Sequence, residues 1–170
     1  MLIGAHLITS DAIALVLTDK PWIAFLIGVV SHHLFDALPH LDSNIFKEIN
    51  QGDGANGKIK DWPIKFWLFF AADLIIGVFF LIYILNNFAQ SFNQRLIVFW
   101  ASFGAILPDL INFFFREQLR QSSLGKIYFN FHKNFHWRFR SQPKTKQIVA
   151  VGLTQSLIIF LALILIIGLK

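Results

Sequence analysis

Apolar residues lie in five long runs, which charged residues and turn formers separate. The runs cover roughly residues 2–18, 21–40, 64–86, 95–115 and 147–169. Each run is close to the ~20 residues with which an α-helix crosses a bilayer. The stretches 74–94 and 147–169 contain no charged residue, which is a strong signal for a membrane span. The pattern predicts an all-α fold, a polytopic membrane helical bundle of about five apolar helices that forms a single domain over residues 1–170.

The second run carries helix signals at both ends. Asp19 and Pro21 are typical of a helix start, because proline fits the first turn, where no intrahelical bond needs its N–H. Pro39 disfavours helical geometry at the residue before it, so this helix is expected to end just before His40. The first run is short and contains polar residues, so it either spans the membrane or lies in the interface.

Two segments between the runs are predicted to be loops. Residues 41–63 are polar and rich in glycine, and residues 116–146 are basic and aromatic. The second segment holds eight Lys and Arg residues and one acid, Glu117. Since Lys and Arg accumulate in the cytoplasmic loops of membrane proteins, residues 116–146 are expected to be cytoplasmic. With five spans, the 41–63 loop and the N-terminus would share that side.

The composition agrees with a membrane protein. Of the 170 residues 55% are hydrophobic and 15% are charged, the mean hydropathy is +0.57, and Phe occurs 20 times. Most basic residues behind the net charge of +5 lie in one segment, which indicates membrane orientation and not nucleic-acid binding. The chain has no cysteine, so any metal site must be built from nitrogen and oxygen ligands.

Ionisable side chains within the apolar runs are the candidates for function, because burying a charge in a membrane is costly. Histidines and aspartates of four separate runs fall at a similar height near the cytoplasmic side, beneath the segment that carries a spaced pair of histidines. They are His6, His33, Asp36, Asp73 and Asp109, with His132 and His136 as the pair. This convergence predicts a His/Asp cluster at one face of the bundle.

The densest motif is the stretch Ser31-His32-His33-Leu34-Phe35-Asp36-Ala37-Leu38-Pro39-His40. At about 100° of rotation per residue, its three histidines and Asp36 fall within one arc of a helix. A carboxylate flanked by imidazoles is a metal-ligand pattern. We expect one of His32 and His33 to ligate and the other to support it or pack; the sequence does not decide between them, with His33 preferred. The alternative is a polar seam in which histidine and aspartate hydrogen-bond each other.

Two aspartates stand in otherwise apolar runs. Asp109 follows Pro108, and because proline removes a backbone hydrogen bond and exposes the carbonyl of Gly104, a kink is expected where the carboxylate points inward. The alternative is that Pro108 and Asp109 begin a new helix. Asp73 has apolar neighbours only, and a metal or a metal-bound histidine is its expected partner.

The pair His132 and His136 is spaced i, i+4, which on a helix directs both imidazoles to one side. Aromatic and basic residues alternate around the pair, as suits an element that lies in the headgroup region. The alternative is an interfacial anchor whose histidines belong to the polar face and bind nothing.

Taken together, these motifs resemble a known family. They are Gly4-Ala5-His6, Ser31-His32-His33-Leu34-Phe35-Asp36, Leu107-Pro108-Asp109 and the His132/His136 pair. Similar motifs mark the membrane-bound metal-dependent hydrolases, a family that is itself similar to zinc-dependent phospholipase C. The resemblance covers most of the chain and implies a membrane-embedded helical bundle with a set of metal-associated residues. In this chain they would be His6, His33, Asp36, Asp109, His132 and His136.

The chain departs from the family pattern at two places. Leu110 and Ile111 follow Asp109 where the family tends to have a second acid. The spacing of the two histidines is one residue shorter than in the usual His-Arg-Gly-x-x-His. A site that lacks one of the family's ligands would hold one metal ion instead of two, or none.

These observations predict a membrane-bound metal-dependent hydrolase that acts on a phosphoester or lipid-linked substrate at the inner face of the cell membrane. The expected cofactor is a divalent metal, Zn²⁺ or Mn²⁺. The candidate ligands are His6, His33, Asp36, His40, Asp109, His132 and His136, and the candidate catalytic carboxylates are Asp36, Asp73 and Asp109. The expected partners are the lipid bilayer and a phospholipid or lipid-linked substrate, with no nucleic acid.

Two other functions share part of this pattern. A non-catalytic membrane scaffold or metal-binding protein would have every feature of the hydrolase and would lack only turnover. A transporter would require acidic residues across the full depth of the membrane and repeated halves, and the sequence has neither.

Overall fold

A computed structural model describes residues 3–38, 64–135 and 144–168, and these residues form α-helices and no strand. The helices are α1 (Ile3–Leu17), α2 (Pro21–Asp36), α3 (Ile64–Asn87), α4 (Phe92–Phe114), α5 (Arg116–Gln121), α6 (Ser123–Phe135) and α7 (Lys144–Ile167). The predicted all-α fold is confirmed for this part of the chain. Each of the five apolar runs contributes one of the longer helices.

Helix α1 is the centre of the bundle. Its residues from Gly4 to Ala12 are all buried, and it packs against α2, α3, α4 and α7. The helix is apolar or small on every side, which is the pattern of a helix with no solvent-facing stripe. Ile8 and Ala12 join a core cluster with Ile84 of α3 and Val98 of α4. Any polar residue on α1 is therefore held inside the bundle.

Helices α2 and α4 approach each other until their backbones are in contact. A Cβ atom built on Gly28 would lie 2.2 Å from the Ala101 carbonyl oxygen, and one built on Gly104 would lie 2.2 Å from the Phe25 carbonyl oxygen. Small residues at helix crossings permit such close packing in membrane proteins. The crossing fixes the position of the polar end of α2 relative to α4 along the bundle.

The helix ends differ from the predicted ones for local reasons. Helix α4 begins at Phe92, not at residue 95, because Ser91 and Gln94 form a capping box in which each side chain bonds the other's backbone N–H. Helix α2 ends at Asp36, before the predicted end at His40, which lies outside the described residues. Pro108 lies inside α4, so the alternative that it begins a new helix is wrong.

The predicted loop over residues 116–146 is wrong for most of its length. Helices α5 and α6 occupy it up to Phe135, and α7 begins at Lys144. The aromatic residues that suggested a headgroup segment also repeat at helical spacing, and that periodicity is the signal for α6. The other predicted loop, residues 41–63, lies entirely outside the described residues.

Two helical stretches among the described residues are long and apolar enough to cross a membrane, Phe70–Asn87 and Phe92–Phe114. This is fewer than the five predicted, because the apolar stretches Ile3–Leu17 and Gly152–Ile167 are shorter and α2 has only 16 residues. Only 17% of the stretch Phe70–Asn87 is buried inside the bundle. A core helix of a soluble protein would be mostly buried, whereas this helix turns a long apolar surface outward, as lipid contact requires.

Candidate metal centre

His32 is the buried centre of the polar cluster. Its Nδ1 lies 2.7 Å from the carbonyl oxygen of Ala105 in α4. Since a carbonyl can only accept, Nδ1 carries the proton and donates, which leaves the lone pair of the neutral ring on Nε2. A histidine anchored to a backbone carbonyl through one ring nitrogen is the usual arrangement of a metal ligand that binds through the other.

The Nε2 atom of His32 faces two carboxylates. It lies 3.2 Å from Asp36 Oδ2 and 3.7 Å from Asp109 Oδ1. At 3.2 Å from Asp36 Oδ2, this nitrogen can donate a hydrogen bond only if the ring carries a second proton. Three electron-rich atoms thus converge in a buried site, where their repulsion is poorly screened. Such an arrangement requires a positive charge between them, either a proton on the ring or a bound cation.

His132 reaches this point from α6. Its Nε2 lies 3.9 Å from Asp109 Oδ1, and its ring stacks on that of His32 with centroids 5.5 Å apart. One turn earlier, the Tyr128 hydroxyl donates to the carbonyl of Pro108 at 3.2 Å and ties α6 to α4. Burial, together with the nearby charge of Asp109, raises the pKa of Tyr128 to about 12, so the hydroxyl keeps its proton and remains a donor.

Four side chains form a donor set of metal-site size. One ligand atom from each of His32, Asp36, Asp109 and His132 lies within 4.8 Å of all the others. A tetrahedral ion with ligand bonds of about 2.1 Å separates its ligands by about 3.4 Å, and the distances given above, from 3.2 to 3.9 Å, bracket that value. Two imidazole nitrogens and two carboxylate oxygens thus form a group that could hold a divalent ion.

His6 supports this set without belonging to it. Its Nε2 lies 3.1 Å from Asp36 Oδ1, and its ring stacks on His32 at 4.3 Å. His6 thus contacts one oxygen of the Asp36 carboxylate while His32 faces the other. Carboxylates that bind metals are commonly oriented by such outer hydrogen bonds. The sequence predicts His6 as a candidate ligand. In the structure His6 contacts Asp36 and belongs to neither donor set.

His33 lies beside the cluster and takes part in a second, overlapping donor set with His32 and His132. Its ring contacts Phe131 at 5.2 Å and His132 at 5.4 Å between centroids. His32 is a member of both sets and His33 of one. The geometry therefore favours His32 as the metal ligand, whereas the sequence favours His33. The remaining candidate ligands, His40 and His136, lie outside the described residues.

Asp73 has a different partner from the expected metal or metal-bound histidine. Its two carboxylate oxygens accept the backbone N–H groups of Ile3 at 2.6 Å and Gly4 at 3.1 Å. These amides belong to the first turn of α1, which has no intrahelical acceptor for them. The negative charge also faces the positive end of the helix dipole. Asp73 thus caps the central helix, and it belongs to neither donor set.

Asp73→Ala should lower the free energy of unfolding by about 1–2 kcal/mol, because the first turn of α1 loses its acceptor. Asp73→Asn should retain most of the stability, because asparagine keeps one acceptor oxygen. Thermal unfolding in detergent measures the first effect, and metal content should equal that of the wild type in both variants. Loss of metal or of turnover in a stable Asp73→Asn protein would instead support the predicted catalytic role.

Two polar contacts of the bundle are not indicated by the sequence motifs. Tyr128 carries the i, i+4 spacing to His132 that could have marked it as part of the same helix face. Asp11 of α1 accepts a hydrogen bond from the Ser102 hydroxyl, with its two oxygens at 2.9 and 3.0 Å. This pair lies about 7 Å further along α1 than His6 and does not join the donor set.

Comparison of the chain with models of known protein families, with curated proteins and with solved structures finds no match. The function is therefore inferred from the chemistry of the site.

Proposed function

We propose that the protein is a membrane-bound metal-dependent hydrolase that cleaves a phosphoester of a lipid or lipid-linked substrate. The observation that carries the proposal is the geometry of His32, whose Nδ1 is fixed to the carbonyl of Ala105 and whose Nε2 faces the carboxylates of Asp36 and Asp109. A divalent ion between these groups would bind all three at once. The resemblance to membrane-bound metal-dependent hydrolases agrees with this interpretation.

The donor chemistry narrows the choice of ion. Imidazole nitrogen and carboxylate oxygen suit Zn²⁺ and Mn²⁺, whereas thiolate-dependent sites are excluded because the chain has no cysteine. When bound, the ion would supply Lewis-acid polarisation of a phosphoryl or carbonyl oxygen and would lower the pKa of water.

The side chains around the site differ in what they can contribute. Asp36 is buried and oriented by His6, so it would serve as a fixed ligand. The Asp109 side chain is 38% exposed, so it can take a proton from an entering water and act as general base. The exposed amine of Lys126, on the helix that carries His132, is available to a phosphate group.

The membrane arrangement is part of the proposal. All five apolar helices would be embedded in the cell membrane, with the two longest spanning it, and the cluster would face the cytoplasm. The excess of Lys and Arg over residues 116–146 supports this orientation. A site at this height meets the headgroup esters of the inner leaflet.

The test is elemental analysis of detergent-purified protein beside hydrolysis of phosphodiester substrates, including a short-chain phospholipid. We expect a stoichiometric divalent metal and turnover that stops with a chelator and returns with Zn²⁺ or Mn²⁺. Asp109→Asn should lose at least about a hundredfold in turnover, since it removes a ligand and the proposed base.

Asp11→Asn is the matched control. It alters a buried aspartate on the central helix α1, bonded to Ser102 and outside both donor sets, so metal and turnover should persist. Metal without turnover on any substrate would favour the scaffold or metal-binding function. Protein free of metal at several pH values would overturn the proposal and assign the cluster to a polar seam with a protonated His32.

A further inference from the structure

Helix α6 presents three different faces. Its inner face carries Tyr128 and His132 to the bundle, as described above. Its outer face exposes large apolar side chains, namely Leu124 at 81%, Ile127 at 67% and Phe131 at 47%. Its third face exposes polar residues, namely Lys126, Asn130 and Asn134. The apolar residues are spaced i, i+3 and i+7, so they form one stripe along the helix.

The position of α6 identifies the environment of that stripe. Only the six-residue helix α5 and its flanking residues separate α6 from Phe114, the end of a helix long and apolar enough to cross a membrane. Phe114 and Phe115 at this end are themselves exposed, and exposed aromatic residues at the end of a span are typical of the boundary between hydrocarbon and water. Helix α6 therefore begins at the edge of the apolar zone.

Charge distinguishes a lipid surface from a second copy of the chain. Residues 116–146, which include α6, contain eight basic residues and one acid. On α6 itself Lys126 is exposed, and a second copy docked across this face would bring its own Lys126 close to it, which is unfavourable. Anionic headgroups would be attracted, by about 1 kcal/mol for each basic residue near the surface.

We propose that α6 docks in the headgroup region of an anionic bilayer, with Leu124, Ile127 and Phe131 toward the acyl chains and Lys126 toward the phosphates. Because the same helix carries His132, the depth at which α6 docks also sets the depth of His132 beside Asp109. The docking surface does not depend on the proposed hydrolase: it concerns the outer face of α6, which would bind lipid whether or not the inner face holds a metal.

Because the chain has no cysteine, a thiol-reactive label attaches only to the one cysteine that is introduced. The full chain is reconstituted in vesicles of phosphatidylcholine with phosphatidylglycerol and carries one nitroxide label at a time. Leu124→Cys and Ile127→Cys report the apolar face, and Lys126→Cys and Asn130→Cys are the matched controls on the polar face. All four sites are exposed, so the substitutions leave the bundle core unchanged.

We expect labels at 124 and 127 to collide several times more with dissolved oxygen than with a water-soluble nickel chelate, and labels at 126 and 130 to show the reverse. Equal access of the nickel chelate to both faces would overturn the proposal, because the helix would then lie in water. Protection of position 124 from both reagents, with dipolar coupling between two labels, would show a second copy instead. An unchanged depth of the label at 124 in pure phosphatidylcholine would remove the anionic requirement.

Discussion

The His32→Asn protein should bind divalent metal at least about a hundredfold more weakly than the wild type. Asparagine can still donate a hydrogen bond to the Ala105 carbonyl from the place of Nδ1, but it has no counterpart of the Nε2 lone pair that faces Asp36 and Asp109. Loss of an outer hydrogen bond alone costs about 10–100-fold in metal affinity, and loss of a ligand costs more. Competition with a coloured chelator measures the affinity, and elemental analysis measures the stoichiometry.

The matched control is the neighbouring histidine. His33→Asn changes the same residue type on the same turn of α2, but His33 belongs to only one of the two donor sets. We expect a loss of about tenfold or less, as for a supporting residue. If His33→Asn loses the metal and His32→Asn keeps it, the preference drawn from the sequence is correct and the assignment from the geometry is wrong. Circular dichroism of both proteins checks that the helices persist.

Gly104→Ala should lower the free energy of unfolding by about 2–3 kcal/mol, the upper part of the range for overpacking. The added Cβ would lie 2.2 Å from the carbonyl oxygen of Phe25, so α2 and α4 must separate. Because that crossing sets His32 against Ala105, metal affinity should fall as well. Denaturation in detergent measures the stability, and the chelator titration measures the affinity.

Gly152→Ala is the control for this change. A Cβ atom on Gly152 of α7 would meet nothing within 4 Å. Alanine is the better helix former, so this protein should be unchanged or more stable by about 0.5–1 kcal/mol. Similar losses in the two variants would mean that the backbone contact between α2 and α4 does not limit stability.

The helices could be predicted from the sequence because their signal is local. Apolar runs of about the length of a span indicate a helix whatever it packs against. The start of α4 was missed by three residues because the capping box of Ser91 and Gln94 lies outside the apolar run. The basic and aromatic composition of α6 favours a loop, although its aromatic residues also repeat at helical spacing.

The site could be predicted only as far as depth along each helix determines it. The similar heights of Asp36 and Asp109 follow from their distance to the ends of the apolar runs, and the predicted loop that carries His132 lies over them. The structure brings these three residues together. The choice between His32 and His33 depends on rotation about the axis of α2, which the contact of α2 with α4 fixes. The capping of α1 by Asp73 joins residues about seventy positions apart, and no local pattern indicates it.

The four donors of the candidate site come from three helices, α2, α4 and α6, so an ion bound there would tie folding to the supply of metal. An ion that binds only the assembled set would stabilise the folded chain by about 2.7 kcal/mol at a free concentration a hundredfold above its dissociation constant. Without the ion that stabilisation would be lost, and the inner face of α6, which contacts α4 through the Tyr128 hydroxyl, would be held to the bundle by fewer contacts. A shortage of metal would then expose one basic amphipathic helix to proteases. The lifetime of the protein would in that way depend on the concentration of the ion.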